Sequence, residues 1–350
     1  MGLFNKKGGD GAHSCPTQDL SEQAQEPAVG GMSFYTFNMI ISGAAAAFVI
    51  LVILAFMMMH VTHFSNPKHQ GNIMRVSLFI PIYVLISWLS LAFPVVYPYI
   101  KPWVHVFEAW SLCSFFLLLS EYLAPNQRER DAYLAAKNIP KKKGTMRGHK
   151  WFQVRWILVF QYPVVAFLIA ILTDITQAAG VYCIFSGGIH FAKFWLHLFN
   201  MISLVLVFLT LLQVFKHLKP ELAVHNAMLK FIAFKIIIFL TVVQSIIFWI
   251  LEDHTDVMNP SSTMTWADFH IGIPNMLPCL EMVPLSLFFV WAYHWGTYSK
   301  SRRADDESNS AVPHYQGGFL GWRAFLEMLN PSGLFRGIIY AFKLVLRKSV

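Results

Sequence analysis

Six polar side chains interrupt long apolar runs in this sequence: Ser87, Glu108, His197, Asn200, Gln244 and Glu281. A carboxylate or carboxamide in hydrocarbon is expensive, so each is expected to face other helices, a polar cavity or a bound solute. Glu281 and Gln244 fall near the middle of their runs, Ser87 at similar depth, and Glu108, His197 and Asn200 nearer one end. Their chemistry is hydrogen bonding to a polar head. Pro274, Pro278 and Pro284 surround Glu281, and such prolines free backbone carbonyls that are tolerated beside a cavity. No HExxH, GxSxG or P-loop pattern is present, so an enzyme is not expected. His60 and His63 have an i, i+3 spacing that could hold a metal, but no Cys or carboxylate lies near them in sequence. They read as interfacial polar residues, and no metal or other cofactor is expected. The four cysteines, Cys15, Cys113, Cys183 and Cys279, form no CxxC pair. Cys113 and Cys279 fall inside apolar runs, while Cys15 and Cys183 fall on one common side, which leaves a disulfide between them open.

The elements that must position these groups follow from composition. Of 350 residues, 56% are hydrophobic and 13% charged, against about 25% charged in soluble domains. That balance excludes a disordered chain, a coiled coil and a disulfide-stapled secreted module. A membrane-spanning helix needs about 20 mostly apolar residues. Stretches at Met39–Met59, Val76–Tyr97, Trp103–Leu123, Val154–Asp174, Phe194–Phe215, Phe231–Leu251 and Phe269–His294 meet that test. The expected fold is therefore all-α: a polytopic membrane protein of seven transmembrane helices over 38–298, between a disordered tail at 1–37 and a polar tail at 299–350.

Lys and Arg divide unevenly between the connectors. With seven spans, one side carries 21 of them, including Lys68, Arg128, Arg130, Lys141, Lys142, Lys143, Lys216 and the C-terminal tail. The other side carries four: Lys6, Lys7, Lys101 and Lys193. The positive-inside rule then predicts an exoplasmic N-terminus and a cytoplasmic C-terminus. The 252–268 connector, with Glu252, Asp253, Asp256 and Asp268, reads as a solvated loop. Near the end of the chain, Leu334, Phe335, Ile338, Ile339, Phe342, Val345 and Leu346 fall on one helical face, opposite Arg336, Lys343 and Arg347. That pattern predicts an amphipathic helix lying in the headgroup plane, with its basic face on anionic lipid. The alternative is a helix docked on protein.

Several ordered elements resemble one family. They are His60-Val61-Thr62-His63-Phe64-Ser65-Asn66-Pro67-Lys68-His69-Gln70, Ile73-Met74-Arg75, Pro81-Ile82-Tyr83 and Ser87-Trp88-Leu89-Ser90-Leu91. Further along come Phe107-Glu108-Ala109, Lys230-Phe231 with Phe234-Lys235 and Gln244, and Cys279-Leu280-Glu281-Met282. Over about residues 45–295 the chain resembles the organic solute transporter alpha subunit and transmembrane protein 184 family. The 124–153 connector lacks the Cys-rich stretch of the family's transporter branch, and Phe107 replaces its Tyr.

The resemblance implies seven helices with the N-terminus outside, and facilitated movement of amphipathic organic solutes such as steroids, sterols or lipid-like anions. It also implies, in some members, a single-span partner subunit; a homo-oligomer is the other arrangement. Membrane lipid and the solute are the expected partners, and nucleic acid is not. Two alternatives stay open: a membrane scaffold or trafficking protein, and a seven-helix receptor. The receptor lacks an Asp-Arg-Tyr-like element after the third span, where Ser120-Glu121-Tyr122 stands. The expected location is an integral membrane site, at the plasma membrane or an endomembrane or vacuolar membrane.

Overall fold

The computed structural model describes residues 14–16, 19–20, 22, 24–124, 126–140, 144–223, 226–254, 259–298 and 315–348. Lys6, Lys7, Lys141, Lys142, Lys143, Asp256, Lys300, Arg302 and Arg303 of the charge pattern lie outside the described residues, as do the side chains of Glu252, Asp253 and Lys348. Among the described residues, seven helices are long and apolar enough to cross a membrane, so the chain is an all-α polytopic membrane protein. The segments run Phe34–Thr62, Pro67–Ala92, Tyr97–Leu123, Gly148–Ala178, Ala192–Leu222, Ala227–Leu251 and Asp268–Tyr298. Each contains most or all of an apolar stretch expected from sequence and extends past it, because the caps lie in the polar flanks.

Helix α1 (Phe34–Thr62) starts where the Ser33 side chain accepts from Thr36 N at 3.3 Å. Helix α2 (Pro67–Ala92) starts at Asn66, whose Oδ1 accepts from His69 N at 3.2 Å, with Pro67 in the first turn. An Asn cap before a proline satisfies one orphan donor and removes another. The run Phe93–Pro102 then folds as turns around the short α3 (Tyr97–Ile100) before α4 (Trp103–Leu123). Helix α5 (Gln127–Ala136) and a small antiparallel hairpin, β1 (Asn138–Pro140) with β2 (Thr145–Arg147), fill the long connector. An ion pair from Lys137 and a 2.7 Å bond from Tyr133 tie this unit to Glu221.

The fourth crossing is broken in two. Helix α6 (Gly148–Phe160) meets α7 (Tyr162–Ala178) at Gln161, just before Pro163, and proline cannot supply the N–H that would continue the ladder. Helices α8 (Ala192–Leu222), α9 (Ala227–His254) and α10 (Ile273–Ala292) complete the bundle, with a π turn over Asp268–Gly272 leading into α10. Helices α2 and α4 are the most enclosed and α9 the most peripheral. Close approach of α1 to α2 needs Gly43: a Cβ there would stand 2.8 Å from Trp88 Nε1.

After the last crossing come α11 (Trp322–Leu329) and α12 (Ser332–Lys348). Helix α11 buries Ala324 and Met328 on α2. Helix α12 docks on α6 and α4 through a stripe of small residues, Gly333, Gly337 and Ala341, flanked by Leu334, Ile338 and Leu344. At Gly337 a Cβ would run into the ring of Phe160, and the Gly337 carbonyl accepts from Trp156 Nε1 at 2.9 Å. Phe335, Ile339, Phe342, Val345 and Leu346 remain exposed, and Arg336, Lys343 and Arg347 form a separate exposed edge.

At the other end of the bundle, Cys15 and Cys183 form a disulfide. Leu20 packs with Ile184, Trp266 and Ile271, and Glu26 exchanges two hydrogen bonds with Ser262. Part of the N-terminal segment is thereby fixed to the connector before α8 and to the one before α10.

Candidate functional site

A cavity of about 600 Å³ opens beside this disulfide-bearing end, among α2, α4, α7, α8, α9 and the start of α10. Four of the six polar residues singled out from sequence line it: Glu108, His197, Asn200 and Gln244. The other two stand one residue behind the wall. Gln244 Nε2 donates to Glu281 Oε2 at 2.5 Å, so Gln244 faces the cavity and Glu281 orients it. Ser87 is fully buried, with its Oγ 3.5 Å from Lys101 Nζ.

Lys101 is the group that sequence reasoning missed. It was counted as a connector residue between two spans, and the turns over 93–102 aim it back into the bundle. Its Nζ donates to Asn275 Oδ1 at 2.6 Å and lies 5.3 Å from the centroid of the Tyr83 ring. Tyr83 and Ser87 are one helical turn apart on α2, so a single face presents both to the ammonium. Asn275 is held the right way round because its Nδ2 donates to Ile271 O at 2.8 Å. The available signal was a lone Lys among prolines on the Lys-poor side. Tyr83, Lys101, His105 and Lys193 all reach the cavity.

Glu108 is 2% exposed. Its Oε2 takes the Tyr162 hydroxyl and His105 Nδ1, each at 3.0 Å, while Oε1 has no hydrogen-bond partner. A buried carboxyl oxygen without a partner is an unmet hydrogen-bond site in the cavity wall. The arrangement thus offers two amines (Lys101, Lys193), a carboxyl (Glu108), two carboxamides (Asn200, Gln244) and three imidazoles (His105, His197, His270). Phe79, Tyr83, Phe248 and Trp249 supply apolar wall. Leu198, Ile246 and Trp249 line the cavity and are exposed, so the wall that α8 and α9 contribute is an open one.

At the opposite end several buried polar groups are tied to protein partners. His60 is fully buried, with Nε2 3.1 Å from Tyr293 O. Gln70 Oε1 accepts from Ser65 N and Asn66 N at 2.7 and 2.9 Å. Asn72 Nδ2 donates to Glu121 at 3.1 Å and Lys230 Nζ to Tyr122 at 2.8 Å. Arg75 pairs with Glu327 at 3.0 Å and also donates to the carbonyls of Glu327 and Met328 on α11. His60 is therefore a packed seam residue, not an interfacial one. Among the described residues no group of three or more His, Cys, Asp or Glu is arranged to hold a metal ion.

Seven apolar helices with a cavity of about 600 Å³ and polar groups in its lining define the class, a polytopic membrane protein. A profile of the organic solute transporter Ostalpha family matches residues 38–298. The chain belongs to that family. It is also similar to a transmembrane protein 184 homolog of Dictyostelium discoideum, with 25% identity over 300 residues, covering 78% of this chain and 55% of the relative. The chain thus spans about half the length of the curated relative it matches. No solved structure matches it.

Proposed function

We propose that the chain moves amphipathic organic solutes, steroid-, sterol- or lipid-like, across the membrane by facilitated diffusion, taking the polar head at Lys101. The observation that carries this reading is the composition of the cavity. Charged and hydrogen-bonding side chains such as Lys101, Glu108, His197, Asn200 and Gln244 share one lining with aromatic and aliphatic residues, and its size falls in the range of small-molecule sites, about 300–1,000 Å³. The open wall at α8 and α9 suits a solute that arrives through the bilayer rather than from water. The family's implied preference for anions sits awkwardly with an acidic anchor at Glu281. Lys101 resolves this: an anionic head would meet the ammonium, with Asn275 and Ser87 holding that ammonium in place.

The 21-to-4 division of Lys and Arg supports an exoplasmic N-terminus, so the cavity would open outward. A disulfide at the same end fits an oxidising compartment. The exposed basic edge of α12, with Arg336, Lys343 and Arg347, would rest on anionic cytoplasmic lipid.

The test is counterflow in proteoliposomes with a panel of steroid sulfates, sterols and lysolipids. Lys101→Gln is expected to lower flux of anionic solutes about tenfold, the order set by one hydrogen bond to a charged group. Glu281→Gln should retain flux and Glu281→Ala lower it, because Gln keeps a partner for Gln244. Unchanged flux in Lys101→Gln at equal protein level would reject Lys101 as the head site. No flux for any solute would favour a scaffold.

A further inference from the structure

Arg130, on α5, is the buried charge that neither the cavity nor the closed end explains. It is 8% exposed. Its guanidinium lies 5.3 Å from the centroid of the Trp156 ring and 5.5 Å from that of Phe152, both on α6. Its Nε is enclosed and has no hydrogen-bond partner, and no carboxylate lies within ion-pair distance among the described residues. Asp131, Tyr340 and Glu121 act on its charge only at longer range, and Glu121 is already engaged by Asn72. Burial accordingly pushes the guanidinium below the usual arginine range. A buried guanidinium with no bonded counter-ion is costly to maintain. Its planar fork matches the oxygens of a phosphoryl group.

The surroundings supply the rest of such a site. Trp156 binds α12 twice, through the Gly337 carbonyl and through an edge-on contact with Tyr340 at 5.4 Å. The aromatic bed under Arg130 therefore continues to Tyr340. Arg336, Lys343 and Arg347 stand on the same edge of α12, within about 60° of Tyr340 at 100° per residue. All three are exposed, and α12 contains no acidic residue. Next to that edge runs the exposed apolar row Phe335, Ile339, Phe342 and Leu346. A phosphoryl-binding guanidinium, a basic rim and an apolar strip beside them together match one molecule: a headgroup with acyl chains.

We propose that Arg130 and the Arg336–Lys343–Arg347 edge of α12 form a specific site for the phosphoryl headgroup of an anionic phospholipid, whose chains lie along Phe335, Ile339 and Phe342. The site rests on α12 lying in the headgroup plane, and it goes beyond surface attraction. A diffuse basic face is screened by salt, whereas a buried guanidinium is screened much less.

The experiment uses the full chain purified in a neutral detergent, so that no bilayer is needed and the in-plane placement is not what is tested. Dioctanoyl phosphatidic acid is titrated and bound lipid counted by native mass spectrometry. Dioctanoyl phosphatidylcholine serves as the equal-chain control and inorganic phosphate as the free-ion control. Phosphatidic acid should bind saturably and at least about tenfold tighter than phosphatidylcholine, by the worth of charge-assisted bonds. Arg130→Gln should lose that preference, and the double change Arg336→Gln with Lys343→Gln should weaken it several-fold. Equal binding of the two lipids overturns the proposal, as does a folded Arg130→Gln with unchanged preference. Inorganic phosphate displacing the lipid at matching concentration would make this an ion site and overturn the lipid assignment. If Arg130→Gln does not fold, the exposed double variant decides alone, and unchanged affinity there overturns the site.

Discussion

At the end that carries Cys183, polar side chains face open space: Glu108 keeps one oxygen unbonded, and Lys101, His197 and Gln244 line a cavity. At the other end His60, Gln70, Arg75 and Lys230 are polar and more deeply buried than Lys101, His197 and Gln244, and each is tied to a partner on another element. The same cost of burying polar groups is met in two ways, by protein at one end and by an unfilled requirement at the other. A polar residue in a span therefore marks a site where it borders open space, as Lys101 and Gln244 do although each is bonded to protein, and as Glu108 does with one oxygen unpaired. The elements that carried the family resemblance divide between the two ends: His60 to Arg75 and Lys230 fall in the closed seam, whereas Tyr83, Ser87, Glu108, Gln244 and Glu281 line or back the cavity.

The largest effect should come from crossing that boundary. Lys101→Gln empties the head site and is expected to lower anionic flux about tenfold while costing less stability than loss of Arg75, since it breaks the bond to Asn275 and not a set of bonds to another helix. A large loss of stability would place Lys101 with the closed end instead. The reciprocal change, Arg75→Ala, should destabilise the chain by about 3 kcal/mol in detergent unfolding, because it strands buried acceptors on α11. Glu327→Ala should cost less, since that carboxylate is 37% exposed and the Arg75 bonds to main-chain carbonyls survive.

Seven spans were legible because the bilayer imposes a length that local composition reveals directly. Four of the cavity residues were legible for a related reason: a polar atom inside an apolar run stands out whatever the fold. Lys101 was not, because Pro94, Pro98 and Pro102 make its surroundings read as a connector, and only the turn geometry shows that it points inward. Glu281 was recognised, but which of Glu281 and Gln244 faces the cavity depends on helix rotation about axes that sequence periodicity leaves undefined. In the tail, the large apolar and basic residues of α12 drew notice. The docking stripe of Gly333, Gly337 and Ala341 did not, since small residues carry no hydropathy signal although they permit close helix approach.

That stripe gives the next test. Gly337→Leu should cost about 1–3 kcal/mol by driving a side chain into Phe160, and should make 330–348 accessible to protease. Gly333→Ala should be nearly silent, because the added methyl would meet Leu117 at an ordinary 3.5 Å. Equal behaviour of the two would mean that the helix is held by its lipid-facing side. The smallest effect concerns sidedness. In sealed right-side-out cells, a membrane-impermeant maleimide should label the chain at Cys15 and Cys183 only after reduction, and Cys15→Ser with Cys183→Ser should abolish that labelling. Labelling from the opposite side only would reverse the orientation.

Arg75 lies 252 positions before Glu327 and 253 before Met328. At roughly 5–20 residues per second of synthesis, the second span must wait about 10–50 s before its partners exist. During that interval an arginine sits in a newly inserted helix with its main acceptors unmade. The closed end is thus the last part of the molecule that can be completed, and a chain stopped short of residue 327 would leave Arg75 with its bond to Asn72 but without its acceptors on α11.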